Sequence, residues 1–233
     1  MSGILYGVGL GPGDPELLTL RAHRLIREAA VVAYPSLAGG ESFARAIVAG
    51  VIPPTAREIV LEVPMTTERA PAQAAYDDGA ARIEAELDAG RDVVCLCEGD
   101  PFFYGSFMYL FARLRRAHAV EVVPGVTSVT ACAARAGMPL AARNERLTVL
   151  PGPLPEDELR ARIAGAESLA IMKVGRHLPK IRGVIDALGL TDSAVYVERA
   201  SLESEVIRPL AEAPRAAPYF SMILLTKGAD PWL

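Results

Sequence analysis

Tryptophan occurs once, and cysteine and histidine three times each, in a chain of 233 residues. So few cysteines do not make a disulfide framework. Cys95 and Cys97 are two apart in an apolar run, so as strand residues they point to one side and read as buried structural thiols. His23, His118 and His177 lack the close spacing that a metal site favours, and no metal is expected. No stretch reaches the roughly 18 uninterrupted apolar residues of a membrane span, and the opening MSGILYGVGL lacks a basic leader segment. A cytoplasmic location is the reading. A basic excess is lacking too: Lys+Arg 24 against Asp+Glu 28 gives a net charge of −4, which disfavours sequence-independent binding to phosphate backbones. There is also no Gly-x-Ser-x-Gly elbow, no paired-histidine zinc motif and no Gly-Lys-Ser/Thr of a P-loop. Covalent and metal-dependent catalysis are therefore disfavoured, and a transfer between two aligned bound partners stays open.

What is present is an ordinary globular composition, 51% apolar and 22% charged, long enough for one large domain or two modest ones. Strand, glycine turn and helix recur. Apolar runs at 4–9, 31–34, 59–61, 92–97 and 120–123 read as strands, with helical spacing over 17–26, 43–49, 72–89 and 103–116. Continuous rather than alternating Val/Ile/Leu runs predict strands covered on both faces and paired in parallel. Beyond residue 125 the pattern changes: helices over 127–136, 156–164 and 178–188, and strands over 147–150, 168–174, 194–197, 205–210 and 219–226. Several of these strands are too close together for helical crossovers, so a mixed sheet is expected. The reading is an α/β chain of two domains, 1–125 and 126–233.

Gly7-Val8-Gly9-Leu10-Gly11-Pro12 approaches a dinucleotide fingerprint but places Pro12 where the pattern needs Gly or Ala. What remains is a glycine turn at the carboxyl end of a first strand, where ligands of open α/β sheets gather. The chain repeats such turns in Gly11-Pro12-Gly13-Asp14-Pro15, Glu98-Gly99-Asp100-Pro101 and Pro124-Gly125-Val126-Thr127-Ser128, all expected on one rim. Asp100, Thr127 and Ser128 are also natural helix caps, a role compatible with ligand binding.

The segments GVGLGPGDPELLTLRA, CEGDPFFYGSFMYL and VVPGVTSVTACAA, in this order and spacing, resemble the tetrapyrrole methyltransferases of cobalamin biosynthesis over essentially the whole chain. The resemblance implies a two-domain class III methyltransferase fold, with a mostly parallel N-terminal sheet and a mixed C-terminal sheet. It also implies S-adenosylmethionine as methyl donor, folded between the domains, a small-molecule tetrapyrrole substrate and a homodimer. EGDPFFYGSFMYL, with VPMTTERAPAQAAYDDGAARIEAELDAGRDV before it, is similar to the branch that methylates carbon 20 of precorrin-2. The double-glycine turn and Phe-Gly-Arg of the enzyme acting on uroporphyrinogen III are replaced here by Glu98 and Tyr104-Gly105-Ser106. The cobalt-loaded substrate is the alternative, and an adenosylmethionine-binding sensor or an RNA or protein methyltransferase of the same fold are rivals from other classes.

By the same resemblance, Pro12, Glu98, Gly99, Asp100, Phe103, Thr127 and Ser128 match cofactor positions, as do Met172, Ala200, Ser221 and Met222 in the second half. Taken alone, Met172 and Met222 read as core packing. A polycarboxylate substrate calls for cations, and Arg143, Arg146, Lys173, Arg176 and Arg199 lie close to the matched motifs. No residue is assigned as the proton acceptor; Tyr104, Glu98 and Glu198 are conceivable.

Overall fold

The computed structural model describes residues 2–37, 39–64 and 69–228. Residues 65–68, part of the motif upstream of the Glu98 turn, lie outside the described residues. The chain divides into two compact units, residues 1–127 and 128–233.

The first unit alternates strands and helices: β1 Ile4–Gly9, α1 Leu20–Arg27, β2 Val31–Ser36, α2 Phe43–Ile47, β3 Arg57–Glu62, α3 Arg69–Asp88, β4 Val93–Cys97, α4 Phe107–Leu114 and β5 Ala119–Val123. All pairings are parallel, in the order β3-β2-β4-β1-β5. The period of two along each strand sends Leu5, Ala33, Ile59, Cys95 and Cys97 to one face, against Ile83 and Leu87 of α3 and Phe107 and Leu110 of α4. Val8, Val32, Tyr34, Val94 and Leu96 go to the other face, against Ala22 and Ile26 of α1 and Ala44 and Ile47 of α2. Coverage on both faces is why β4 is buried along its whole length. Where β3, α3 and β4 meet, the nearly buried Glu86 carboxylate pairs with Arg57 Nη1 and Arg91 Nε, each at 2.5 Å. Both sides of a buried charge are thus compensated.

The second unit runs α5 Ser128–Ala136, β6 Leu147–Pro151, α6 Glu156–Gly165, β7 Ser168–Met172, α7 Leu178–Ala187, β8 Ala194–Glu198, β9 Val206–Pro209 and β10 Ser221–Thr226. Its sheet, ordered β6-β7-β10-β8-β9, is mixed: β6 and β7 are parallel, β10 is antiparallel to β7 and β8, and β8 to β9. Leu159, Ile163, Ile181, Val184 and Ile185 of α6 and α7 close one core over Leu169, Ile171, Tyr196, Ile223 and Leu225.

Two boundaries depart from expectation for local reasons. The helix expected from Phe103 starts at Phe107. Asp100 Oδ1 accepts the amides of Phe102 (2.9 Å) and Phe103 (3.1 Å), a side-chain turn that competes with helix and leads into the left-handed Tyr104 at φ 57°. Strand β7 stops at Met172 because Lys173 turns left-handed at φ 56°. Leu20, expected on the packed side of α1, is 92% exposed at the helix's first position, just after its cap Thr19. No helix among the described residues is long and apolar enough to cross a membrane.

Candidate active site

In the first unit, the connection leaving β1 carries α1 over one face of the sheet toward β2. That leaving β4 carries α4 over the other face toward β5. The crevice between the adjacent carboxyl ends of β1 and β4 is therefore a topological switch point, where open α/β sheets bind ligands. It is stitched by its glycines. Gly99 N–H donates to Gly11 O at 2.8 Å and Gly11 N–H to Gly99 O at 3.2 Å, while Leu10 N–H donates to Cys97 O at 2.9 Å.

The turn after β5 joins this knot through a side chain. Asp100, whose Oδ1 holds the Phe102 and Phe103 amides, accepts Gly125 N–H on Oδ2 at 3.1 Å. Gly125 is obligatory for close approach: a Cβ there would sit 2.1 Å from Gly99 O. Gly99 differs, since it holds a left-handed backbone at φ 64° and a Cβ would meet nothing within 4 Å. The three turns expected on one rim thus interlock, two through backbone hydrogen bonds and the third through the Asp100 carboxylate.

Pro12 is half-buried beside this knot, and Asp14 Oδ1 accepts Glu16 N–H at 2.8 Å to cap a single 3-10 turn over Pro15–Leu17. Phe103 is half-buried with Tyr104 edge-on at 5.3 Å. Thr127 and Ser128 are half-buried at the start of α5. Glu98 departs from a simple ligand-facing role. Burial raises its carboxyl above the usual carboxylate range, an effect that its own amide and that of Ala44 at the start of α2 partly offset. Ser42 supports the same place, donating to Pro35 O at 2.6 Å and accepting Arg45 N–H at 3.3 Å. Sequence reasoning did not single out the loop after β2, although its Gly39-Gly40 pair is a turn signal.

In the second unit, β7 and β8 end where β10 begins. Ser221 pairs with Glu198, Met222 with Val197 and Pro151 with Met172, and Arg199 N–H donates to Phe220 O at 2.9 Å. Met172, Ala200, Ser221 and Met222 are therefore gathered at one end of this sheet. The side chain of Met222 is buried, which leaves its strand backbone as the part near that end. The same end holds a buried polar chain: Tyr196 Oη donates to Glu198 Oε2 at 2.8 Å, and Arg199 Nη1 to Glu198 Oε1 at 2.7 Å. Burial, then the Glu198 carboxylate, pushes the Tyr196 phenol up. Tyr196 was missed by sequence reasoning, although its spacing of two from Glu198 in a strand puts both side chains on one face.

The five cations are divided. Lys173 and Arg199, left-handed at φ 56° and 50°, stand at this end of the sheet, with Arg176 in the 3-10 turn that follows Lys173. His177 in that turn is held below the ordinary imidazole range, first by burial and then by Lys180 and Arg176, a sign of a locally positive field. Arg146 stands at the other end, where β6 and β7 begin, its Nη2 3.1 Å from Glu167 Oε1 in an exposed ion pair. Arg143 lies in the same connection, left-handed at φ 47°. Non-glycine residues at positive φ cost energy and concentrate at functional sites. Among the described residues they are Tyr104, Arg143, Lys173, Arg199 and Ser201. No group of three or more metal-ligating side chains comes together among the described residues.

Two α/β units, one with a glycine-stitched switch point and one with a mixed sheet ending in a polar knot, are the architecture of a class III methyltransferase. Residues 4–214 match the family model for Tetrapyrrole (Corrin/Porphyrin) Methylases, and the chain belongs to that family. It is 45% identical to a precorrin-2 C(20)-methyltransferase of a Sinorhizobium species, with 99% of each chain covered. It is 34% identical to a cobalt-precorrin-2 C(20)-methyltransferase of Salmonella typhimurium, covering 97% of this chain and 98% of that one. Among solved structures it is similar to a uroporphyrin-III C-methyl transferase of Thermus thermophilus complexed with S-adenyl homocysteine. That likeness has a TM-score of 0.69 and 29% identity and covers 95% of this chain and 97% of the other.

Proposed function

We propose that this protein transfers the methyl group of S-adenosylmethionine to carbon 20 of precorrin-2, giving precorrin-3A in cobalamin biosynthesis. The observation that carries the reading is the stitched crevice between β1 and β4, a ligand position built from backbone groups, in a chain with end-to-end likeness to a C20 methyltransferase. The residues fit the donor: the Cβ position of Gly99 opens on unfilled space, beside the partly accessible Phe103 and Pro12. When bound, adenosylmethionine supplies a methyl group already activated on a sulfonium. The work left to the chain is alignment and exclusion of water, for which proximity supplies on the order of 7–11 kcal/mol in favourable cases.

The residues proposed to hold the donor are Pro12, Glu98, Gly99, Asp100, Phe103 and Thr127 of the first unit and Ser128, Met172, Ala200, Ser221 and Met222 of the second. Within that set Asp100 acts by fixing the Gly125 turn. Lys173, Arg176 and Arg199 are the proposed carboxylate contacts, grouped at one sheet end; Arg143 and Arg146 are proposed as outlying contacts. The likeness to the Salmonella protein supports a second reading, the same reaction on the cobalt-loaded ring.

We also propose a homodimer in the cytoplasm. Phe102, 48% exposed beside Phe111, and Tyr109, 49% exposed beside Tyr76, offer apolar surface for a second copy, and the unpaired buried cysteines suit a reducing compartment. Light scattering on the eluting protein checks the dimer. The function is tested by incubating the protein with methyl-labelled adenosylmethionine and precorrin-2, with and without cobalt. Label on carbon 20 is expected; label elsewhere, or none with either ring, overturns the reading.

A further inference from the structure

Tyr219 and Phe220 are 57% and 41% exposed, yet the backbone that carries them is tightly held. Phe220 O accepts Arg199 N–H at 2.9 Å, Tyr219 O accepts Ser221 N–H at 3.0 Å, and Pro218 O accepts Ser221 Oγ–H at 2.7 Å. Gly175 N–H in turn donates to Ser221 Oγ at 3.3 Å. The two rings meet edge to face, 5.2 Å apart at 79°. Two large apolar rings presented by a fixed frame keep unfavourable contact with water unless a ligand covers them, and their rigidity lowers the entropy cost of that binding.

The surroundings specify the ligand. Lys173 and Arg199 flank the same sheet end, and Arg176 follows in the next turn. The carboxylate beside them, Glu198, accepts from Tyr196 and from Arg199, which aims the guanidinium. An apolar face rimmed by several cations suits a flat ring system that carries carboxylates at its edge. Adenosylmethionine, with one carboxylate, matches it less well.

We propose that Tyr219 and Phe220 form the ring-facing wall of the tetrapyrrole subsite, with Arg199, aimed by Glu198, and Lys173 receiving its carboxylates. The inference rests on the methyl-transfer reading and adds to it the residues that select the acceptor. The test compares the full chain with the Tyr219→Ser/Phe220→Ser double variant and with Tyr219→Ser alone. The readouts are KM and kcat for precorrin-2 and, by calorimetry, the Kd of S-adenosylhomocysteine.

The expected result is a KM raised about tenfold or more in the double variant, kcat within about threefold and an unchanged S-adenosylhomocysteine Kd, the signature of lost acceptor binding. Exposed rings contribute little to folding, and an unchanged thermal transition confirms this. The conservative pair Tyr219→Phe/Phe220→Tyr should restore KM to within about twofold. An unchanged KM in the double variant overturns the wall while leaving the methyl-transfer reading intact. An S-adenosylhomocysteine Kd that weakens in step with KM overturns it too, because the rings would then serve the donor. A wild-type protein that methylates no tetrapyrrole defeats the methyl-transfer reading itself, and this inference with it.

Discussion

The carboxylate of Asp100 reaches across from the turn after β4 and accepts the amide of Gly125 at 3.1 Å, binding two turns that are far apart in the chain. Its other oxygen caps Phe102 and Phe103. Asp100→Asn keeps a carbonyl oxygen for the local turn but sets an amide donor against the Gly125 N–H. A hydrogen bond to a charged group contributes about 1.5–3 kcal/mol, and a loss of that order is expected in urea unfolding, with weakened S-adenosylhomocysteine binding. An asparagine variant as stable as wild type would show that this contact is not holding the rim.

Gly125 and Gly99 should separate stability from ligand binding. Gly125→Ala drives a methyl group to 2.1 Å from Gly99 O and should cost about 1–3 kcal/mol or more. Gly99→Ala meets no neighbour within 4 Å and pays only for its left-handed backbone, about 1–2 kcal/mol. That methyl group projects into the space proposed for the donor, so Gly99→Ala should raise the S-adenosylhomocysteine Kd more than its stability loss alone explains. Calorimetry alongside denaturant titration checks both.

Glu98 and Glu58 should give stability profiles of opposite sign with pH. Burial raises the Glu98 carboxyl, so the folded state keeps that proton longer, and stability falls as pH rises from the ordinary carboxylate range to the raised value. Glu98→Gln removes the buried ionisable group and should be more stable than wild type at neutral pH, with the gap closing in acid. Glu58 is lowered by its hydrogen bonds to Arg45, at 2.6 and 2.9 Å. Its contribution is present above the ordinary range and lost as pH falls through the lowered value, so Glu58→Gln should be less stable at neutral pH and converge in acid. Thermal midpoints from about pH 2 to 8 for both variants read out the signs.

Thiol chemistry offers a probe of the cores. Cys95, Cys97 and Cys132 are free and buried, and burial pushes Cys97 up to about 11, Cys132 up to about 12 and Cys95 higher still. The thiolate is the reactive form, so a disulfide reagent at neutral pH should leave all of them unmodified in the native protein and titrate them fully in denaturant. Rapid native labelling would contradict the packing of β4 and α5.

Tyr196→Phe removes the hydroxyl that Glu198 accepts at 2.8 Å while keeping the ring in the core. Leaving part of a buried carboxylate unpaired should cost about 1–3 kcal/mol by denaturant titration. If Glu198 aims Arg199, the same variant should raise KM for the tetrapyrrole more than it lowers kcat.

Much of the fold was legible because local rules and global packing agree. The unbroken apolar run of β4 implied a strand covered on both faces, and α3 and α2 cover it. The close spacing of strands after residue 190 implied antiparallel pairing, which β8, β9 and β10 show. The helix misplaced at Phe103 was not legible, because nothing in helical periodicity reports that Asp100 will take two amides for a turn. The division of the cations was equally hidden: Arg146 and Lys173 are similar in charge and motif proximity, and differ in which end of a strand they adjoin.

The sequence by itself determined the strand and helix periods, the glycine turns and the family resemblance, since each is a local pattern of side-chain size, backbone freedom and polarity. Only the tertiary structure decided that Gly11, Gly99 and Gly125 interlock, that burial raises the Glu98 carboxyl, and that Tyr219 and Phe220 stand out beside Arg199. Those relations join residues distant in the chain, and their geometry follows from strand order and register rather than from any neighbouring residue.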